Sequence, residues 1–164
     1  MPCIVFGKYN GNTYMKTRVL FVCSHNSARS QMAEEFLRKN DNEKFEVESA
    51  GLEPGEINPF VAKVLLEDEA IDITSKKTRS VFDLFKNGRK YHYVITVCDE
   101  SQSDRCPIFP GKTLRRHWSF PDPAAFQGTD DEILREVRKV KDAIKKAVAD
   151  FANESNYLKE IFIK

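Results

Sequence analysis

Residues 19–30 read Val19-Leu20-Phe21-Val22-Cys23-Ser24-His25-Asn26-Ser27-Ala28-Arg29-Ser30. The apolar run at the start of this stretch predicts a buried strand, and the spacing of apolar residues over 31–37 predicts an amphipathic helix. A strand that ends at Cys23 and a helix that begins near Ser30 force the backbone between them into a tight loop. The N–H groups of such a loop converge beside the positive end of the helix, which predicts an anion-binding site.

Cys23 and Arg29, which five residues separate, give this loop a nucleophile and a fixed positive charge. The N–H dipoles, the Arg29 guanidinium and the Ser30 hydroxyl all favour the thiolate, which is the reactive form of cysteine. We therefore expect the loop to bind a tetrahedral oxyanion and to activate Cys23 at once. The residues expected to bind the anion are Ser24, His25, Asn26, Ser27, Ala28, Arg29 and Ser30. The alternative is a buried structural cysteine beside an ordinary surface arginine.

The composition of the chain limits its class. Its 164 residues are 41% hydrophobic and 31% charged, which suits one compact domain. The 26 Lys and Arg residues balance 25 Asp and Glu residues, so no net field favours nucleic acid or an anionic membrane. No apolar run approaches the ~18 residues that cross a bilayer, and the N-terminus lacks a secretory pattern. We expect a cytoplasmic monomer.

Strand and helix patterns alternate along the rest of the chain. Strands are predicted at 45–49, 93–97 and about 112–118, and helices at 59–69, about 78–86 and from a capping box at Thr129 and Glu132 onward. This alternation predicts an α/β fold, a single doubly wound domain with a four-stranded parallel sheet flanked by helices. We place that domain at residues 16–152, between an N-terminal extension at 1–15 and a C-terminal tail at 153–164.

Three candidate functional residues follow predicted strands. Because ligands of doubly wound sheets bind at the carboxyl ends of the strands, we expect Cys23, Cys98 and Asp122 to meet at one edge. Asp122-Pro123 follows an aromatic stretch that would hold the carboxyl firmly enough to protonate a leaving oxygen. The alternative for an Asp-Pro pair is a simple turn.

Cys98 and Cys106 flank a polar stretch of the kind that can move, and thiols near a thiolate nucleophile suggest electron transfer. A disulfide needs Cα atoms about 5.5 Å apart, so closing Cys98 onto Cys23 or Cys106 would require this stretch to rearrange. Four cysteines, at 3, 23, 98 and 106, are too few for a disulfide scaffold and indicate a reducing compartment. The alternatives are unrelated buried cysteines or a zinc site with His92 and His117, for which the cysteine spacing is poor.

The chain resembles the thioredoxin-coupled arsenate reductases, which share the fold of the low molecular weight protein tyrosine phosphatases. The resemblance spans about residues 16–152. It rests on 19–35 (VLFVCSHNSARSQMAEE), Ser49-Ala50-Gly51, Asn58-Pro59, 94–99 (VITVCD), Cys106-Pro107 with Pro110, His117-Trp118 and Asp122-Pro123-Ala124. It implies that Cys23 is the nucleophile on arsenate, that Arg29 clamps the oxyanion and that Asp122 is the general acid. Asn26 and Ser30 would support the loop and the thiolate.

The same resemblance implies a relay of disulfides. Cys98 would attack the adduct of Cys23 with arsenic, releasing arsenite and leaving a Cys23–Cys98 disulfide. Cys106 would then take over this disulfide and present a Cys98–Cys106 disulfide to thioredoxin, the expected electron donor. The electron count agrees, because arsenate reduction takes two electrons and two thiols supply them. No tightly bound cofactor is implied, and phosphate or sulfate should mimic the substrate.

Two features depart from the relatives. The seven residues between Cys98 and Cys106 are one more than in those proteins, which a flexible stretch could absorb. Some relatives bind potassium, and Asn26, Glu34 and Ser49 match part of that site. The aspartate expected further along is replaced near Arg79, so we predict no metal.

Two other functions remain open. A phosphatase would use Cys23, Arg29 and Asp122 in a two-step covalent hydrolysis of small aryl phosphates. It would have no use for Cys98 and Cys106, and phosphatases of this kind usually have an aromatic residue directly after Asp-Pro, where this chain has two alanines. A non-enzymatic anion-binding module would lack a nucleophile or an acid, and this sequence has both.

Overall fold

A computed structural model of the chain describes residues 6–9 and 12–162. The strands in chain order are β1 (Phe6–Tyr9), β2 (Asn12–Met15), β3 (Thr17–Cys23), β4 (Phe45–Gly51), β5 (Tyr93–Thr96) and β6 (Leu114–His117). The helices are α1 (Arg29–Asn40), α2 (Pro59–Glu69), α3 (Val81–Lys86), α4 (Glu100–Ser103) and α5 (Asp130–Phe162). A 3₁₀ turn at Pro123–Ala125 precedes α5.

The strands β4, β3, β5 and β6 form a parallel sheet in that order. This arrangement confirms the predicted α/β fold with a four-stranded parallel sheet and flanking helices. β3 lies inside the sheet because its run from Val19 to Val22 is apolar on both faces and fully buried. In the pairing of β3 with β4, Cys23 lies opposite Gly51, so both residues stand at the carboxyl edge.

The sheet buries a different apolar cluster on each face. Alternate residues of β3 point to opposite faces, as the period of a strand requires. The odd-numbered ones pack with α1, α2 and α5, and the even-numbered ones pack with α3. Each fully buried Val, Leu or Phe contributes about 1.5–3 kcal/mol. Cys23 and Cys98 belong to the first cluster and Cys106 to the second, so Cys106 packs among different apolar residues from the other two thiols.

The helices begin where their capping residues predict. The Asn58 side chain accepts hydrogen bonds from the N–H groups of Phe60 and Val61, at 3.0 and 3.2 Å, and so starts α2. The Thr129 hydroxyl accepts from the Glu132 N–H at 3.2 Å, and the Glu132 carboxylate accepts from the Thr129 N–H at 2.8 Å. This reciprocal pair is the predicted capping box, and it confirms the start of α5.

The described part of the predicted N-terminal extension contains two short strands that the sequence did not predict. β1 and β2 pair as an antiparallel ribbon, separate from the main sheet, with Tyr9 opposite Asn12. Strands of four residues are too short to show clear alternation, but the dipeptide Asn10-Gly11 between them is a typical hairpin signal. Cys3 lies outside the described residues.

The C-terminal tail also differs from the prediction, because α5 continues to Phe162 through most of residues 153–164. Ser155 is buried there, and its hydroxyl donates to the Ala152 carbonyl at 3.1 Å. A further difference is the one-turn helix α4, which occupies the stretch predicted to be loop. Within the described part of the chain, no helix combines the length and the apolar character that crossing a bilayer requires.

Candidate active site

Cys23 is the last residue of β3, and only 2% of it is exposed. Its Sγ lies 2.9 Å from the Ser30 Oγ and accepts a hydrogen bond from the Asn26 N–H at 3.1 Å. Both partners belong to residues 23–30, which we call the anion loop. The Asn26 N–H, and the Ser30 hydroxyl when it donates, would stabilise a negative charge on this sulfur. Cys23 thus has polar partners in addition to its contacts in the apolar cluster.

Asn26 fixes the shape of the anion loop. Its φ is 55°, in the left-handed region that asparagine tolerates better than most residues. Its side chain is fully buried and donates to the hydroxyls of Ser30 and Ser49, at 2.8 and 2.9 Å. Its Oδ1 accepts from the Arg79 backbone N–H at 2.9 Å and from Gln31 at 3.3 Å. The partners Gln31 and Arg79 were missed from the sequence, because these contacts join separate elements.

The segment 52–58 binds the carbonyl oxygens of the anion loop. The N–H groups of Leu52, Glu53, Gly55 and Asn58 donate to four carbonyls of residues 23–27, at 2.8–3.1 Å. Within the described part of the chain, the N–H groups of residues 24, 25 and 27–30 have no acceptor. These N–H groups stand beside the start of α1, whose dipole favours a negative ligand. These N–H groups are therefore available to an anion, and the binding of an anion by the loop stays a prediction.

Arg29 is the charged centre of the site and is 2% exposed. One terminal nitrogen donates to the Phe120 carbonyl at 3.1 Å, and the other lies 3.2 Å from an Asp122 carboxylate oxygen. Asp99 also faces it, with 3.9 Å between the nearest nitrogen and oxygen. The second oxygen of Asp122 accepts from the Ala124 N–H at 3.0 Å, which fixes the carboxylate at the start of the 3₁₀ turn. The edge of the sheet thus brings together the expected nucleophile, clamp and acid.

Cys98 and Cys106 bound a stretch, residues 98–106, that we call the redox segment. Both are buried, and like Cys23 they are free thiols. Cys98 lies in the same buried apolar cluster as Cys23. Burial raises the pKa of Cys98, while the Arg29 charge lowers it and the Cys23 charge raises it. Burial likewise raises the pKa of Cys106 to about 11, with a further increase from the Cys98 charge, although Cys106 packs in the other apolar cluster.

Glu34 of α1 is 1% exposed and is the buried acid nearest the anion loop. It accepts a short hydrogen bond from the Ser49 hydroxyl, which joins it to Asn26. The Lys76 ammonium lies 3.0 Å from Glu34, and Arg38 lies 2.5 Å from it. Asn26, Glu34 and Ser49, the partial match to a potassium site, therefore form one chain whose carboxylate is neutralised by protein cations. No pattern in the sequence points to Lys76, since only the fold brings it beside α1.

The remaining candidate side chains lie outside the group formed by Cys23, Arg29 and Asp122. His25 is exposed, and its Nδ1 is 2.9 Å from the Glu53 carbonyl oxygen. His117 pairs with the Thr96 hydroxyl at 2.7 Å. Among the residues that the structure describes, no three His, Cys, Asp or Glu side chains converge as a metal ion would need, so the alternative zinc ligands do not form a group.

Comparison with known proteins defines the class. The family model described as low molecular weight phosphotyrosine protein phosphatase matches residues 18–160. The chain belongs to this family, and within it to the arsenate reductase branch, because an arsenate reductase of Shouchella clausii is 36% identical over 138 residues. That alignment covers 84% of this chain and 96% of the relative.

Solved structures agree with this assignment. An arsenate reductase in its oxidised state superposes with a TM-score of 0.68 at 27% identity, covering 82% of this chain and 95% of that one. A thioredoxin-dependent arsenate reductase of Corynebacterium glutamicum superposes with a TM-score of 0.57 at 28% identity. In that case the match covers 82% of this chain and 62% of the other.

Proposed function

We propose that this chain is an arsenate reductase in which Cys23 attacks arsenate held by the anion loop, and Cys98 and Cys106 pass the oxidation on to thioredoxin. The observation that carries the proposal is the placement of a second free thiol, Cys98, in the same buried cluster as Cys23 and directly before Asp99, which lies 3.9 Å from Arg29. A hydrolase needs only the first thiol. The similarity to a thioredoxin-dependent reductase supports the choice of electron donor.

The first step forms a bond between the Cys23 sulfur and arsenic. The free N–H groups of the anion loop and the Arg29 guanidinium bind the arsenate oxygens and stabilise charge that develops on them. One arsenic–oxygen bond breaks, and Asp122 donates a proton so that this oxygen leaves as water. Asp122 is placed for this task because the Ala124 N–H holds its carboxyl group at the anion site, and it must bind a proton before it can donate one.

The second step transfers the electrons. Cys98, once deprotonated, attacks the Cys23 sulfur, a sulfur–sulfur bond forms, and the sulfur–arsenic bond breaks with its electron pair on arsenic. Arsenic(V) becomes arsenic(III) and leaves as arsenite, while two thiols have become one disulfide. Cys106 then attacks Cys98 and releases the Cys23 thiolate. The dithiol of thioredoxin reduces the resulting Cys98–Cys106 disulfide and is itself oxidised.

A phosphatase activity is the second candidate, because the chain belongs to a phosphatase family and Cys23, Arg29 and Asp122 would suffice for it. Phosphate would replace arsenate on Cys23, and water would hydrolyse the phosphocysteine. The two reactions share the anion loop and differ in their need for the redox segment. The redox segment therefore provides the test.

The test compares NADPH consumption with arsenate, thioredoxin and thioredoxin reductase against hydrolysis of p-nitrophenyl phosphate. We expect Cys98→Ser and Cys106→Ser each to stop repeated turnover of arsenate and to leave any hydrolysis intact. Cys23→Ser should stop both reactions. Arsenate turnover at the parent rate in both redox-segment variants would refute the relay. Hydrolysis without any arsenate reduction would favour the phosphatase.

Mass mapping of disulfides gives an independent readout. One equivalent of arsenate should leave a Cys98–Cys106 disulfide in the parent and a Cys23–Cys98 disulfide in Cys106→Ser. The absence of a disulfide to Cys98 from both proteins would contradict the second step.

A further inference from the structure

Two carboxylates compete for Arg29 in the absence of an anion, and they are held very differently. The Asp122 side chain is 27% exposed, and the Ala124 N–H fixes it. The Asp99 side chain is 62% exposed and accepts no hydrogen bond from the described residues. The 3.9 Å between Asp99 and Arg29 is an ion-pair distance without the geometry of a hydrogen bond. Asp99 is therefore the carboxylate that can leave.

Asp99 also connects Cys98 to helix α4. It directly follows Cys98 and precedes α4, and its carbonyl accepts from the Gln102 N–H at 2.9 Å, which closes the single turn of that helix. The other ion pair that ties the redox segment to the rest of the site joins Arg105 to Glu53 at 2.7 Å. Both of those side chains are about half exposed or more, and such a surface pair contributes little.

We propose that Asp99 is a positioning residue that occupies Arg29 while the anion loop is empty, and that an incoming oxyanion displaces it and so loosens the redox segment. This inference rests on the proposed function, because it places the displacement of Asp99 at the step of the proposed reaction in which Cys98 must begin to move. No covalent bond changes in this step. One anion replaces another as the counter-ion of Arg29.

The charges of the site favour this exchange. Arg29 carries one positive charge, and Asp99 and Asp122 together carry two negative charges when both are ionised. A doubly charged oxyanion bound to Arg29 and the loop N–H groups repels the nearby Asp99 carboxylate, which can move into water at small cost because it is already exposed. Burial raises the pKa of Cys98, and the Asp99 charge adds to that effect. Departure of Asp99 thus removes one obstacle to the Cys98 thiolate.

The position of Asp99 couples substrate binding to the relay. While the anion loop is empty, the contact of Asp99 with Arg29 restrains the first residues of the redox segment, and the apolar cluster that contains Cys23 keeps Cys98 buried. Once arsenate binds, the segment is released at the end that carries Cys98, and Cys98 can later carry the disulfide towards Cys106. The enzyme would thereby avoid exposing its relay thiols when no substrate is present.

The test uses Asp99→Asn and a matched control, Asp104→Asn. Both variants remove one negative charge from the redox segment, but Asp104 forms no ion pair in the described part of the chain. Binding of inorganic phosphate to the reduced full-length chain is measured by calorimetry. We expect Asp99→Asn to bind phosphate about fivefold more tightly than the parent, and Asp104→Asn to differ less than twofold. Equal affinities in the two variants would overturn the inference.

Hydrogen exchange reports the loosening itself. The N–H groups of Gln102, Arg105 and Cys106 are hydrogen-bonded within the redox segment at 2.9–3.3 Å. Phosphate should speed their exchange in the parent and in Asp104→Asn, whereas in Asp99→Asn exchange should already be fast without phosphate. Exchange that phosphate leaves unchanged in the parent would overturn the inference.

Failure of the inference and failure of the proposed function are distinguishable. A parent that reduces arsenate while both Asn variants bind phosphate alike refutes the role of Asp99 and leaves the reductase in place. A parent that reduces no arsenate, but in which Asp99→Asn alone binds phosphate more tightly, refutes the reductase and supports the displacement. Arsenate turnover reports on the chemistry, whereas phosphate affinity reports on the anion site alone.

Discussion

The anion loop and the redox segment carry cysteines of one proposed reaction, yet they are built in opposite ways. The anion loop is held by the Asn26 side chain, by the pairing of β3 with β4 and by four backbone hydrogen bonds from segment 52–58. The redox segment has a one-turn helix and two ion pairs at its ends. Groups that stabilise a transition state must be fixed in advance, whereas a thiol that serves two partners must move.

Position relative to the sheet explains the contrast. The anion loop connects a central strand to the helix packed on it, so its backbone has neighbours on several sides, and four of its carbonyl groups accept hydrogen bonds from segment 52–58. The redox segment follows β5 and returns from one face of the sheet to the other, and its side chains between the two cysteines lie largely in solvent. Segments with few buried contacts open at low free-energy cost.

Among the changes considered, replacing Gly51 should disturb the rigid anion loop most severely. A Cβ at Gly51 would lie 2.7 Å from the Asn26 nitrogen and 2.8 Å from the His25 carbonyl carbon, both of which are backbone atoms. Gly51→Ala must therefore push the anion loop away from β4. We expect arsenate turnover to fall about 10²-fold or more, because displacements of about 1 Å have effects of this size.

Gly55→Ala is the matched control, since its Cβ would meet only the His25 side chain at an ordinary 3.5 Å. It should keep turnover within about twofold of the parent. If Gly51→Ala performed as well as Gly55→Ala, the close approach of loop and strand would have no functional importance.

Asn26→Ala should have the next largest effect, on stability. The change removes one buried partner from each of the Ser30 and Ser49 hydroxyls and the partner of the Arg79 N–H, and alanine is strained at a φ of 55°. We expect the free energy of unfolding, measured in urea, to fall by about 2 kcal/mol. Asn26→Gly should lose about 1 kcal/mol less, because glycine accepts this φ without strain.

The redox segment supplies the contrasting control for that measurement. Ser103→Ala removes one exposed hydroxyl contact, to the Glu100 carbonyl, and should change the free energy of unfolding by less than about 0.5 kcal/mol. A loss as large as that of Asn26→Ala would show that the segment is not the weakly held region we describe.

The sequence was sufficient to predict the sheet and the anion loop, because both depend on local patterns. Each of these patterns involves residues that are only a few positions apart in the sequence. They are the apolar run of β3, the Asn58 cap and the capping box at Thr129. The network of Asn26 with Gln31, Ser49 and Arg79 could not be predicted in the same way. It joins residues from separate elements that only the folded sheet brings together.

Two further features escaped prediction for different physical reasons. The ribbon of β1 and β2 has strands too short for a period to emerge. The burial of Cys106 on the second face of the sheet depends on how residues 106–109 pack against α3, and side-chain periodicity in that irregular stretch says nothing about this. The roles of Cys23, Arg29, Asp122, Cys98 and Cys106 remain proposals that rest on geometry and resemblance.

The smallest expected effect concerns Arg115 and the reactivity of Cys106. Burial raises the pKa of Cys106 to about 11 and Arg115, which donates to the Cys106 carbonyl at 3.4 Å, lowers it. Alkylation of Cys106, followed by mass mapping, should accelerate about tenfold per pH unit up to that value, since only the thiolate reacts. Arg115→Gln should raise the pKa further and slow alkylation at pH 9 about threefold, while the control Lys112→Gln should have no such effect. A rate that levels off below pH 9 in the parent, or equal rates in the two variants, would mean that burial and Arg115 do not govern this thiol.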